Sequence, residues 1–325
     1  YNQGLFEPND KNVSFLGSGL FGSGTNTINI GNVYGLEFYD LDVNLNGSNI
    51  LVDMHGTADP DSAHIYIQNE LDFISASRIN VRDGDRKVII RDGATLTQTA
   101  LGYIDGILQK PVGAGAETVF FEIGDGADYT PATVTLDNTG GNGTAGSVQA
   151  ASYSSVPIEP YYGNRLDQNS RLERFWRIMS SDTTNGFAMG DRKANVRLQF
   201  PASELTFNTA DASLRRKSVP AEVPFWDERW KTELNWDALT AYVDLDALTD
   251  LWDGLGEFYI GVKADRTFYS LRDGDWNDGT MWSFESHVGT PVIPGVYPND
   301  TERELVDNVY IGIDHQVALN VPTTT

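Results

Sequence analysis

The stretch from Val88 to Leu136, VIIRDGATLTQTALGYIDGILQKPVGAGAETVFFEIGDGADYTPATVTL, restricts the possible folds of this chain more than any other. Val88-Ile89-Ile90, Thr95-Leu96-Thr97, Val119-Phe120-Phe121 and Thr133-Val134-Thr135 are β-branched or aromatic runs. Between them lie Asp92-Gly93, Asp105-Gly106 and Gly124-Asp125-Gly126, which turn the chain. Runs this short are strands rather than helices. Upstream the apolar runs are irregularly spaced and rich in Asn, Asp and Gly; downstream they lengthen and gain tryptophan. The segment therefore reads as the junction of two β architectures, with its glycines as corners and Phe120, Phe121, Ile123 and Tyr129 as the expected apolar contacts across it.

The whole chain is expected to be all-β. Its 325 residues include 32 glycines and 14 tyrosines, and the long Ala/Leu/Glu/Lys runs that would fill helices are nearly absent. From Tyr1 to about Ala100 short runs recur, such as Val13-Ser14-Phe15, Thr27-Ile28-Asn29-Ile30, Leu36 to Tyr39, Leu41 to Leu45, Ile50 to Val52, Ile65 to Ile67 and Lys87 to Ile90. A faint repeat of about thirty residues sets Leu41-Asp42-Val43 against Leu71-Asp72-Phe73 and Asp53 against Asp83. That rhythm predicts a short β-solenoid, a stack of parallel β-helix-like coils, over residues 1–136, ending in a hairpin; an antiparallel sandwich is the competing reading. Residues 137–160, rich in Gly, Ser, Ala and Asn, read as a linker or loops, or as a strand with exposed loops. Residues 161–262 alternate cleanly at Asn195 to Phe200 and predict an immunoglobulin-like β-sandwich, although Leu245, Leu248 and Leu251-Trp252 also sit at helical spacing ahead of Gly254. Residues 263–325 return to the first style and read as the start of a second solenoid unit, with two short strands about a tight turn between Asp307 and Leu319.

Composition narrows the partners. Asp and Glu number 46 against 23 Lys and Arg, a net charge of −23, so the surface repels nucleic-acid phosphates and anionic lipid. No cysteine is present, which excludes disulfides and thiolate zinc sites. No apolar run of about 18 residues exists to insert in a membrane as a helix. Tyr1 is not an initiator residue, and points to a removed export signal or a window of a longer protein.

Three segments are together similar to the large repetitive cell-surface proteins exported by Bacteroidetes-type bacteria. They are GYIDGILQK followed by FFEIGDGADYTPATVTL, RFWRI followed by LGEFYIGV, and SLRDGDWNDGTMW followed by DNVYIGIDHQVALN. The resemblance implies an extracellular adhesin or structural protein of the cell surface, without catalytic function. Its start-of-unit motif lies at the C-terminal end here. Copies are therefore expected to associate head to tail, with Val309, Ile311, Val317 and Leu319 of one stacking on Val13, Phe15, Ile28 and Ile30 of the next.

Candidate chemistry is sparse. Asp273, Asp275, Asn277 and Asp278 place oxygen ligands at nearly alternate positions and are candidate calcium ligands, but Asp278 stands where a calcium loop needs glycine and Phe284 where it needs glutamate. A plain Asx/Gly turn is the preferred account of them, and the same discount applies to Asp59, Asp61, Asp83 and Asp85. His55, His64, His287 and His315 show no metal-pair spacing. Neither a serine-nucleophile elbow nor a phosphate-cradling loop occurs. Trp226, Trp230 and Trp236, with Trp252 farther on, are candidate glycan-stacking residues or core filling. The readings that follow are, in order, a structural fibre module, a carbohydrate-binding adhesin module and a polysaccharide-active β-helix enzyme. Asn12, Asn46, Asn142 and Asn299 lie in glycosylation sequons.

Overall fold

The computed structural model describes residues 11–16, 26–29, 36–45, 49–53, 64–82, 86–136, 145–154, 166–180, 194–208, 210, 212–217, 226–231, 235–237, 242–248, 256–263, 267–284, 286–289, 291–292, 297–298 and 308–319. All regular structure among them is β, apart from single 3-10 turns such as Ala202–Glu204 and Gly279–Met281. No described helix is long and apolar enough to cross a membrane.

The first strands alternate between two sheets. β1 (Asn12–Leu16), β3 (Leu36–Asn44), β5 (Ile65–Phe73), β7 (Lys87–Ile90) and β10 (Ile107–Val112) lie side by side and parallel in one sheet. The intervening β2 (Asn26–Asn29), β4 (Asn49–Asp53), β6 (Arg78–Asn80), β9 (Tyr103–Asp105) and β12 (Ile123–Asp125) are likewise parallel in a second. Parallel neighbours need a crossover between them, and here each crossover carries a strand of the other sheet. The faint repeat appears directly as register: Leu41, Asp42 and Val43 lie opposite Leu71, Asp72 and Phe73. Inward Leu41, Val43, Leu71 and Phe73 are fully buried. Leu36 to Asn44, expected as two runs, is one strand with an irregularity between Phe38 and Asp40. The aspartate pairing expected from the same repeat depends on Asp83, which is outside the described residues.

Glycine makes the corners, as expected. Gly93 separates β7 from β8 (Thr95–Gln98), both of which pair with β5. Gly106 passes the chain from β9 to β10 at φ +137°, where a Cβ would meet Val81 at 2.7 Å.

Beyond β10 the pairing turns antiparallel. β15 (Gly146–Tyr153), β16 (Leu166–Ser180), β22 (Gly256–Lys263), β18 (Ala212–Lys217) and β19 (Trp226–Lys231) follow β10 in the same sheet. A separate antiparallel sheet runs β11 (Glu117–Phe121), β14 (Ala132–Leu136), β17 (Ala194–Gln199), β21 (Tyr242–Leu248) and β20 (Asn235–Asp237). The two-residue β13 (Asp128–Tyr129) closes a hairpin on β12. One hydrophobic cluster extends from Phe38 through Val134 and Trp176 to Ile260.

Three local expectations change. In the stretch 137–160 the linker reading gives way to its alternative, a strand: β15 lies there, and its Val148 to Ser152 are buried. The helical spacing at Leu245 and Leu248 is overridden: both lie in β21, between β17 and β20, where tertiary pairing outweighs a weak local period. Phe120 points outward at 39% exposure, and Phe121, opposite Ala132, fills the core with Ile123.

The last described segment repeats the alternating path. β23 (Thr267–Ser270) and β26 (Asn308–Tyr310) are parallel neighbours in one small sheet, with β25 (Trp282–Ser283) antiparallel beyond β23. β24 (Gly274–Asp275) and β27 (Val317–Ala318) are parallel neighbours in another. Phe268, Met281, Trp282 and Val292 form the core of this unit.

Phe121→Ala should cost about 3–5 kcal/mol of stability, because the cavity lies where both sheets meet. Phe120→Asp should stay within about 0.5 kcal/mol as a surface change. Urea denaturation of the two variants checks the assignment of inward and outward positions.

Candidate functional site

The segment 120–130 runs from the end of β11 in the antiparallel sheet through β12, the last strand of the second parallel sheet, to the β13 hairpin that leads back to β14. Several of its carbonyls meet donors from outside the ladder, and the buried ones among them would cost about 1–3 kcal/mol if left unpaired. Side chains supply these donors. Lys110 Nζ donates to Phe120 O (2.8 Å), Arg82 Nη2 to Gly124 O (3.0 Å), Tyr103 OH to Gly126 O (2.7 Å) and Trp176 Nε1 to Thr130 O (3.3 Å). Arg82 also reaches Ser152 O of β15 at 2.8 Å, so one guanidinium bonds both sheets. Thr130 Oγ1 and Ser152 Oγ share a hydrogen bond of 2.5 Å beside it.

A network of charges surrounds these contacts. Arg82 pairs with Asp105 through Nε and with Asp125 Oδ1 through Nη2 (2.7 Å), and Arg78 Nη1 lies 3.7 Å from Asp105. The backbone N–H of Ser154 donates to the other Asp125 oxygen. From the antiparallel side Arg174 of β16, fully buried, donates through Nη2 to Glu204 (2.7 Å) and Asp128 (3.0 Å), and its Nη1 is 3.9 Å from Asp125. Asp125 thus faces arginines from both parts of the fold. Lys110 and Glu122 form a separate pair at 2.6 Å. Burial pushes the Glu122 carboxyl up and the Lys110 amine down, and their mutual contact works against both shifts. Burial also raises Tyr103, and raises Tyr129 to about 12.

None of this was singled out from the sequence. The signal was available in β16, where Leu172, Arg174, Trp176 and Ile178 occupy successive inward positions, so Arg174 is a charge in a core register.

The sequence-predicted calcium ligands do different work. Asp278 caps the turn Gly279–Met281, accepting from Thr280 N (2.9 Å), Thr280 Oγ1 (2.6 Å) and Arg272 (3.0 Å). The Thr280 hydroxyl first, and Arg272 after it, hold its carboxyl below the usual range. Asp273 accepts from Gln316 N (2.7 Å), tying the first rung of the last unit to the second, and Asp275 lies in β24 opposite Ala318. Among the described residues no group of three or more His or acidic side chains is arranged to hold a metal. Asp59, Asp61, Asp83, Asp85, His55 and Trp252 lie outside the described residues. Trp226 and Trp230 are on β19, and Trp236 is on β20 in the other sheet.

Two histidines meet although they are distant in sequence. His287 Nδ1 donates to Ser270 O (2.8 Å), and His315 Nδ1 bonds the hydroxyl of the buried Ser270 (2.6 Å), which also accepts from Gly312 N (2.8 Å). The His315 and Gly312 contacts pin the turn between β26 and β27 onto β23, and the His287 contact ties the segment after β25 to the same residue. Of the residues expected at subunit contacts, Val13 and Phe15 are on β1, Ile28 on β2, Val309 on β26, Val317 on β27, and Ile311 and Leu319 beside these last two. Ile30 is outside the described residues.

Lys110→Met should cost about 3–5 kcal/mol, because it leaves Glu122 buried and unpaired, and adding Glu122→Leu should recover most of it. A double-mutant cycle by equilibrium denaturation measures the coupling. Tyr129 holds its proton in the fold until about pH 12, above the ordinary phenol value. Its contribution is therefore complete below about pH 10 and lost as pH rises toward about 12. Alkaline melting curves of the wild type should fall in that window more steeply than those of Tyr129→Phe.

Comparison with protein-family models, with curated proteins and with solved structures finds no match to this chain.

Proposed function

We propose that this chain is a non-enzymatic structural module of an extracellular surface fibre, a β-solenoid segment that passes into an immunoglobulin-like sandwich and then into the opening coils of a second solenoid segment. One observation carries the reading: β10 belongs to both parts. It is parallel to β7 on one edge and antiparallel to β15 on the other, so a single sheet runs from β1 to β19 without a break. Tension applied along that sheet meets backbone ladders at every step, and at the transition it also meets the arginines shared by Asp125. The shared core from Phe38 to Ile260 makes separate yielding of the two parts costly. A cysteine-free chain of net charge −23 with many glycine corners suits such a role outside the cell. Units joined head to tail carry the same pattern along the fibre.

Pulling single molecules between attachment points in β3 and β22 should give one rupture that releases the whole intervening chain. Stepwise release, with the parallel strands yielding first at low force, would show that the two parts do not share load.

A further inference from the structure

Both ends of the described fold finish in the same format. At one end β1 and β2 are the outermost strands of the two parallel sheets; at the other β26 and β27 are outermost in theirs. Chain order and strand direction agree as well: the path enters one sheet at β1 and the other at β2, and leaves by β26 and then β27. Side chains that should be covered by a further rung are only half-covered. Val13 and Phe15 pack on the main core from one side, and Val309 and Val317 do the same on the core of the last unit. Large apolar side chains stand open beside them, Leu16 at 73% exposure at one end and Tyr310 at 55%, with Ile311 and Leu319, at the other. Tyr310 already stacks on Tyr269 of the preceding rung at 5.3 Å, and it is still 55% exposed.

We propose that the occupant of each end is a second copy of this chain, stacked so that β26 pairs in parallel with β1 of the neighbour while β27 pairs with its β2. This rests on the fibre-module reading and supplies its joint. A foreign strand could add to one edge, but a partner that meets both edges together, in the same direction and order, needs the two-sheet format that this chain itself carries. The register that pairs the open apolar side chains sets Tyr310 opposite Leu16, outward, and Val309 opposite Phe15, inward. The two surfaces differ, so the contact is heterologous and repeats without closing unless the rotation per unit returns to the start.

Engineered cysteines test it, since the chain has none of its own. Neighbouring strands bring opposed residues within disulfide reach, with Cα atoms about 4.4–6.8 Å apart. Leu16→Cys and Tyr310→Cys chains, mixed and oxidised, should yield a crosslinked heterodimer, whereas either variant alone should remain monomeric on a denaturing gel. In the wild type, sedimentation should show oligomers that grow with concentration, and Val309→Asp should abolish them while leaving the melting temperature of the main core unchanged. A wild-type chain that stays monomeric and a mixture that gives no heterodimer would overturn the proposal, as would crosslinking of Tyr310→Cys to itself. Crosslinking seen only after removal of residues 1–10 would assign the β1 edge to the chain's own leading segment and overturn it too. A monomer that still ruptures as one body would sink the joint and leave the load-bearing reading standing; crosslinked chains that yield stepwise would do the reverse.

Discussion

The long sheet from β1 to β19 depends on β10 having two kinds of neighbour. β10 offers slanted, evenly spaced hydrogen bonds to β7 and the perpendicular, alternating pattern to β15. Leu108 sits opposite Val88 on one side and Ala150 on the other, and all three are buried. The sheet can therefore change pairing without changing which face is apolar. In the opposite layer β12 also has a parallel neighbour, β9, and an antiparallel one, β13, but the two-residue β13 ends that sheet. The chain reaches the separate antiparallel sheet through β11 and β14 on either side of this hairpin, and side chains add to the backbone bonds there.

This explains why the charges gather there. A hydrophobic side chain could fill the space at the crossover, but it could not donate to the carbonyls of Phe120, Gly124 and Gly126. Lys110, Arg82 and Tyr103 do so while their stems and rings fill volume. Once buried, the cations require anions, and Glu122, Asp105 and Asp125 provide them at close range. Such pairs add little net stability compared with apolar packing of the same volume. Their effect here is geometric: Asp125 faces Arg82 from the parallel side and Arg174 from the antiparallel side, so the two parts share one alignment.

The sequence made the all-β class legible, because it depends on short runs and turn residues that act locally. The repeat was legible at Leu41-Asp42-Val43 and Leu71-Asp72-Phe73, since stacking in register preserves both spacing and side-chain type. The choice between Phe120 and Phe121 was not. A run of three strand-forming residues must send its members alternately inward and outward, and only the pairing with β14 fixes which is which. β15 was hidden by small residues: Ala150, Ala151 and Ser152 look like linker composition, yet small side chains are what a strand between two others accommodates under bulky neighbours such as Trp176. The meeting of His287 and His315 at Ser270 was beyond reach, because it is created by stacking one rung on the next.

The outward faces of the parallel strands bear on how copies can meet. Asp40 and Asp42 lie opposite Glu70 and Asp72, like charges across adjacent strands, an arrangement that is unfavourable by itself. Neutral donors temper it: Ser14 and Asn12 bond Asp42 (both 2.9 Å), Asn69 bonds Asp40 (2.6 Å) and Thr97 bonds Asp72 (2.8 Å). The rows remain anionic, and two such faces brought together repel within a Debye length of about 8 Å at physiological salt. The strand edges at β1 and β26 carry Leu16 and Tyr310 instead. Charge thus opposes contact between two such outward faces, whereas the outermost described strands β1 and β26 present apolar side chains where an added strand would lie.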